Sequence, residues 1–516
     1  MDKKQELFNT IWKIAEDLRG EIDGWDFKSY VLGFLFYRFI SENICDYIND
    51  GERNSDPSFD YSLLSDNEIT NEIKNDIINE KGFFIYPSQL FKNTYLRLKK
   101  DYRNLNEELS NILMDIENTS IGSKSENNVK GIFTSINLTW TGLGNNLIAK
   151  NQRLFNVLEA INNLDIDSFL SCNNDIFGDA YEFLMGMYAS NAGKSGGEYF
   201  TPQCVSKLLT LLAIDQKTKI RNVYDPTCGS GSLLLQAKKI LGIENISNGF
   251  YGQELNPTTY NLCRMNMFLH NVPFDKFDIL EGNTLTSPKH DLNKKFEIIV
   301  SNPPYSKKWE GKQNPILIND ERFMPAGVLA PTSKSDYAFI MHSLYMLDID
   351  GKAAIVSFPG IFYRDGAEKQ IRQYLIDNNF IDSIIALPNN LFYGTSINVD
   401  ILVLSKSKKD NNVLFIDATQ YFEKKTNQNE LSQQNIDEIL KIYHQRTNID
   451  HISTLASYQE IKNNDYELSV NTYVEPEKNE EIIDIKALNS EIDKIVKRND
   501  ELRTNINKII KEIDNE

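Results

Sequence analysis

Over residues 222–406 short β-rich runs alternate with amphipathic stretches, and this alternation limits the fold more than any other feature of the chain. NVYD precedes SLLLQAKKIL, and GFYGQEL precedes NPTTYNLCRMNMFLH; FEIIVSNPP follows, then KAAIVSFP ahead of GAEKQIRQYLIDNN, then FIDSIIALP and INVDILVLSK. A strand joined to the next through a helix-length insert runs parallel to it, so the pattern predicts βαβ units and a mostly parallel sheet covered by helices. The last two runs have no helix-length insert between them, which predicts an antiparallel hairpin at the sheet edge. With 516 residues the chain has room for about three domains.

Upstream the period changes. Phe8, Ile11, Trp12, Ala15 and Leu18 recur at helical spacing, and a second helical run covers residues 26–48. After a polar stretch over 49–75, Leu90, Phe91, Tyr95, Leu98, Leu105, Leu109, Ile112 and Leu113 carry the helical pattern through 86–116. The expected division is an α-helical domain over 1–165, the sheet domain over 166–410, an α/β extension over 411–475 and a helical tail over 476–516. In that tail Ile485, Leu488, Ile492, Ile495, Asn499, Leu502, Ile506, Ile509 and Ile513 follow strict 3,4 spacing. This is a coiled-coil seam with one Asn at an a-type position, a device that fixes register and partner number. Its narrowness and flanking charges favour docking on another subunit over packing on its own domain.

The charge balance matters for partners. With 55 Lys plus Arg against 73 Asp plus Glu, the net charge is −18. Such a chain is repelled from phosphate backbones unless its positive charge is concentrated, or a basic partner carries most of the contact. Five cysteines, an odd number with no CxxC pair, argue against a disulfide framework and a zinc site, and fit a reducing cytoplasm. No stretch has the apolar length of a signal core or a membrane span, so neither secretion nor insertion is expected.

Three motifs sit at the carboxyl ends of expected strands. The first, Asp225-Pro226-Thr227-Cys228-Gly229-Ser230-Gly231-Ser232, joins a strand to a helix; its glycines permit close backbone approach to a ligand, and the helix offers free amides. It lacks the P-loop lysine, which disfavours nucleoside triphosphates. The second is Glu254 at the end of the next strand, placed where a carboxylate can accept both hydroxyls of a ribose. The third is Asn302-Pro303-Pro304-Tyr305 after an apolar strand. Its diproline forces an extended, donor-free backbone, Asn302 adds a side-chain carbonyl, and Tyr305 offers a flat face for a planar ring. Residues 305–336, rich in Lys, Gly, Pro and Asn, are long for a connection inside a compact domain. With Lys307, Lys308, Trp309 and Lys312 they could close over a bound nucleotide or form an ordinary solvated loop.

Together the motifs resemble those of class I S-adenosylmethionine-dependent methyltransferases that modify an amino nitrogen, in the order found in amino-methylating DNA methyltransferases. Gly197-Glu198-Tyr199-Phe200-Thr201-Pro202 is similar to the GxYFTP signature of the methylation subunits of type I restriction-modification systems. So are Phe392-Tyr393-Gly394-Thr395-Ser396, Asp17-Leu18-Arg19-Gly20 and Tyr37-Arg38-Phe39-Ile40-Ser41. The resemblance covers nearly the whole chain and implies a Rossmann-like sheet. It also implies that Glu198, Tyr199, Phe200, Thr201, Pro202 and Gln203 line the methionine side of the cofactor site. Asp225, Thr227, Gly229, Ser230, Gly231 and Ser232 would form its turn, Glu254 would hold the ribose and Asn283 would contact the adenine. Asn283 stands where the family often has Asp.

The reaction so implied is methylation of adenine N6 in duplex DNA by Asn302, Pro303, Pro304 and Tyr305. Because the amino group is inaccessible in the stack, the base must first be extruded. No basic, aromatic-interleaved module able to read bases is evident, and the resemblance assigns recognition to a specificity subunit flanked by two methylation subunits, with a restriction subunit completing the complex. Methylation of cytosine N4 or of a protein glutamine, and an inactive scaffold, are the competing readings.

Overall fold

The structure is a computed structural model that describes residues 12, 27–164, 176–191, 201–392, 397–426, 428–476 and 485–513. It divides into two units, Met1–Val474 and Glu475–Glu516.

The first unit is built on a nine-stranded sheet. Eight strands are β1 (Ile220–Asp225), β2 (Ile246–Glu254), β3 (Phe277–Glu281), β4 (Phe296–Ser301), β5 (Leu347–Ser357), β6 (Ile381–Ala386), β7 (Asp400–Ser405) and β8 (Val413–Asp417). A ninth, Ser453–Ala456, lies on the edge beyond β8, and the spatial order from there is β8, β6, β7, β5, β4, β1, β2, β3. β3, β2, β1, β4 and β5 run parallel to one another. β7 is antiparallel to both β5 and β6, while β6 pairs parallel with β8. Every residue of β4, β6 and β7 is buried, as expected of strands covered on both faces.

The mostly parallel sheet agrees with the sequence pattern, and β6 and β7 do pair antiparallel. Their expected place at the edge is corrected, because β8 and Ser453–Ala456 continue the sheet past β6. The helices Ser232–Leu241 and Pro257–Leu269 occupy the expected crossovers. The second is started by Asn256, whose side chain accepts from the Thr259 amide, with Pro257 in the first turn, where its missing N–H costs nothing.

Of the run over 26–48, Phe27–Glu52 is a helix, but the 86–116 run breaks into Phe91–Leu98 and Leu105–Asn118. The polar stretch over 49–75 holds two capped 3₁₀ turns and the start of a helix, Asn71–Lys81. The motif at residues 37–41 holds this region together through buried polar contacts. Arg38 Nη1 donates to the carbonyls of Ile161 at 2.7 Å and Leu164 at 2.9 Å, satisfying the end of the helix Leu147–Asn162. Tyr37 OH donates to Gln89 O, and Ser41 Oγ accepts from the Phe91 amide. The helical region is tied to the sheet by Asn128, which donates to Phe277 O, and by Arg264, which donates to Lys130 O.

The second unit contains one helix, Ile485–Ile513. Its seam residues Leu488, Ile492, Ile495, Leu502 and Ile506 are 49% to 58% exposed. Among the described residues no helix is long and apolar enough to cross a membrane. Asp17 to Gly20, Gly197 to Phe200 and Tyr393 to Ser396 lie outside the described residues.

Candidate active site

The turn after β1 is held from several sides. Cys228 N donates to Gln253 O, Asn266 Nδ2 to Ser230 O and Thr284 Oγ1 to Pro226 O. Gly231 adopts φ +80°, and a Cβ there would stand 2.8 Å from Cys263 Sγ, so both conformation and space demand glycine. The Gly229 amide faces outward from this turn and donates to Glu254 Oε2 at 3.0 Å. The other oxygen of Glu254 accepts from the Asn256 amide at 2.8 Å, and burial raises its carboxyl above the ordinary carboxylate range.

Asp225, the last residue of β1, is fully buried. Its Oδ1 accepts from the Thr227 amide at 2.9 Å, while Oδ2 has no partner. Burial pushes this carboxyl up to about 7. Asn283 uses its side-chain oxygen on its own loop, accepting from the amides of Leu285 at 3.0 Å and Thr286 at 3.3 Å.

The neighbouring strand β4 delivers the other half. Ser301 Oγ lies 3.0 Å from Thr227 Oγ1, joining the two strand ends. Asn302 Nδ2 donates to Thr201 Oγ1 at 2.9 Å, and Tyr305 OH donates to Asn302 Oδ1 at 2.7 Å. Two hydroxyls thus fix the carboxamide plane and leave the second lone pair of Oδ1 for a ligand.

A cleft of about 740 Å³ brings Thr227, Gly229, Glu254 and Asn283 together with Asn302 and Pro304. That is the size of small-molecule sites. A cavity of about 20 Å³ beside it joins Thr201, Asp225, Ser230 and Ser232 to Asn302. Pro202, Gln203, Gly231, Pro303 and Tyr305 line neither. Gln203 instead donates to Ser232 Oγ at 2.8 Å and accepts from Gln236. Glu198, Tyr199 and Phe200 lie outside the described residues. Leu255 and Phe339 also line the larger cleft and were not singled out from the sequence; a lone apolar residue after a strand or in a buried helix carries no local signal.

One wall therefore presents a backbone turn and the Glu254 carboxylate, the other a clamped carboxamide. This can hold a polar nucleoside-sized molecule next to an amine.

The N-6 DNA methylase family matches residues 172–482, and the HsdM N-terminal domain matches residues 7–161. The methylase subunit of the type I restriction enzyme MpnII from Mycoplasma pneumoniae is 48% identical, covering 99% of this chain and 97% of that protein. The MjaVIII methylase subunit from Methanocaldococcus jannaschii is 27% identical over 95% of this chain and 82% of its own length. A crystal structure of the type I restriction-modification methyltransferase subunit from Streptococcus thermophilus superposes with a TM-score of 0.83 at 34% identity, over 92% of this chain and 100% of that one. Both family matches and the full-length identity agree: the chain belongs to the N-6 DNA methylase family, as a methylase subunit of the type I restriction enzymes.

Proposed function

We propose that this chain transfers methyl from S-adenosylmethionine to the exocyclic N6 of an adenine extruded from duplex DNA, its target sequence being read by a separate specificity subunit. The observation that carries the proposal is the single cleft shared by Thr227, Glu254 and Asn283 on one side and Asn302 and Pro304 on the other. The cofactor supplies a methyl group made electrophilic by a positively charged sulfur. Its fit rests on chemistry present in the cleft: a strand-end carboxylate at Glu254, fixed by the Gly229 amide and suited to a ribose, and the unpartnered oxygen of buried Asp225 nearby. The rest of its site would be formed by Ser230, Gly231 and Ser232, with Glu198 to Gln203 on the methionine side and Asn283 toward the adenine.

The amino nitrogen of adenine is a poor nucleophile because its lone pair is delocalised into the ring. Asn302 Oδ1 and the Pro303 carbonyl would accept its two hydrogens, favouring a pyramidal nitrogen whose lone pair points along the line of transfer. Thr201 and Tyr305 hold the Asn302 carboxamide for that task. No base is required before attack, since the proton leaves after the nitrogen has become cationic. Tyr305, assigned from the sequence to ring stacking, meets Asn302 through its hydroxyl, and its ring does not line the cleft.

Single-molecule sequencing of host DNA with and without this gene and its neighbouring specificity gene tests the reading. N6-methyladenine at one asymmetric motif, lost with either gene, is expected; N4-methylcytosine or no modified base would refute it.

In the proposed complex two copies of this chain flank one specificity subunit, and a restriction subunit joins to form the nuclease. The helix Ile485–Ile513, with its half-exposed seam, is the docking element. Removal of residues 477–516 should weaken assembly in size-exclusion chromatography while leaving the melting of the sheet unit unchanged; full assembly by the truncated chain would count against this role.

A further inference from the structure

Residues 306–335 are anchored along their length. The Ser306 amide donates to the Asp336 carboxylate at 3.2 Å, Trp309 N donates to Thr332 O at 3.0 Å and Ser335 N to Lys307 O at 2.9 Å. Inside this frame Arg322 is buried, its side chain 1% exposed. A buried guanidinium is strongly destabilising unless its donors are met, and here they are. Nε and Nη2 donate to the two oxygens of Asp320 at 2.9 Å and 2.7 Å. Nη1 donates to Thr284 O at 2.7 Å and Nη2 to Leu285 O at 2.8 Å. Nη1 also stands 3.0 Å from His342 Nδ1. Burial and the adjacent Arg322 hold His342 neutral. With Nδ1 accepting from Arg322, the ring proton sits on Nε2, 2.9 Å from Tyr224 OH. Tyr224 immediately precedes Asp225.

Thr284 and Leu285 follow Asn283 directly, and the Leu285 amide is one of the donors that fix the Asn283 side chain. Arg322 therefore bolts the segment after the diproline corner to the loop on the opposite side of the cleft. The next residue, Phe323, is buried and meets Trp309 edge to face at 5.5 Å between ring centroids. Trp309 Nε1 donates to Pro331 O at 2.9 Å. Gly311, at φ +48°, leaves room for Thr332 and the indole, since a Cβ there would stand 2.9 Å from Thr332 Cγ2 and 3.3 Å from the Trp309 ring. Trp309 lines the same cleft as Glu254 and Asn283.

We infer that residues 306–335 are a fixed wall of the cofactor's own part of the cleft, in which Trp309 is the aromatic face for the purine nucleoside and Arg322 is the positioning residue that holds it there. This rests on the proposed use of S-adenosylmethionine. The segment is then neither a solvated loop nor a cover that closes over the extruded base.

The test uses the full chain with Trp309→Ala, Trp309→Phe and Arg322→Lys. S-adenosylmethionine is titrated by calorimetry and by tryptophan fluorescence, melting is followed in parallel, and the KM for DNA is measured in the complex with the specificity subunit. The parent should show a saturable fluorescence change that Trp309→Phe abolishes while retaining binding. Trp309→Ala should weaken S-adenosylmethionine binding about tenfold with the KM for DNA unmoved. Arg322→Lys keeps the charge but loses the fork, and should weaken binding to a similar extent. If Arg322→Lys also lowers the melting temperature, the variants at partly buried Trp309 carry the decision. Unchanged affinity in Trp309→Ala, or an effect confined to the KM for DNA, would overturn the inference. A parent chain that binds no S-adenosylmethionine would instead sink the proposed function, and that result involves no variant.

Discussion

The two walls of the cleft are built from opposite materials. On the turn side the cleft is lined by the backbone turn at Thr227 and Gly229 and by the Glu254 carboxylate, whose two oxygens are fixed by the protein's own Gly229 and Asn256 amides. On the diproline side one neutral carboxamide is oriented by two hydroxyls, from Thr201 and Tyr305. The first wall suits recognition of a polar ligand by charge and shape. The second suits control of one small group's geometry. A change on one wall leaves the hydrogen-bond partners of the other in place, so the proposed binding and chemistry should be separable.

Asn302→Ala is the sharpest way to break that separation. Loss of a preorganised polar group that acts on the reacting nitrogen should reduce kcat by about 100-fold to 1000-fold, with S-adenosylmethionine affinity nearly unchanged by calorimetry. Comparable loss of both would mean that the walls act as one. Glu254→Gln is the reciprocal change. It removes a charged acceptor worth about 1.5 to 3 kcal/mol, so S-adenosylmethionine should bind about 10-fold to 100-fold more weakly while kcat at saturation holds.

The smallest effect concerns stability. The unfolded chain releases the Asp225 proton near pH 4, roughly the ordinary aspartate value, whereas the native carboxyl is pushed up to about 7. The native state therefore holds the extra proton between those values. Stability declines as pH rises across the window, and the full deficit is present above it. In the ligand-free chain Asp225→Asn should melt a few degrees higher than the parent at pH 8 and equally at pH 4. A constant difference across pH would place the effect elsewhere.

The motifs at the ends of β1, β2 and β4 were legible because each is a local sequence of strand, turn and cap, and the turn at Gly231 admits no other residue. The place of β7 was misread, although the ILVL at its centre is an unbroken apolar run of the kind that marks a strand covered on both faces. Short loop length fixed its pairing with β6 but carried no information about what lay beyond. β3 was not singled out, and β8 and Ser453–Ala456 were expected only as unplaced parts of the α/β extension, because such short runs without a marked strand-to-helix turn after them carry little periodicity. Arg322 could not be found at all from sequence. Its partners at 284, 285, 320 and 342 converge only after folding.

The reversed strand has one more consequence. Asp400, the first residue of β7, stands opposite Ser357 and Ala386, the last residues of β5 and β6. The link from β6 to β7 thus starts and finishes on the rim where β5 and the other parallel strands end, and Leu387 N bonded to Val399 O at 3.0 Å closes its neck. Insertions or deletions within that link would be absorbed outside the neck, and no rung of the sheet would have to shift register to accommodate them.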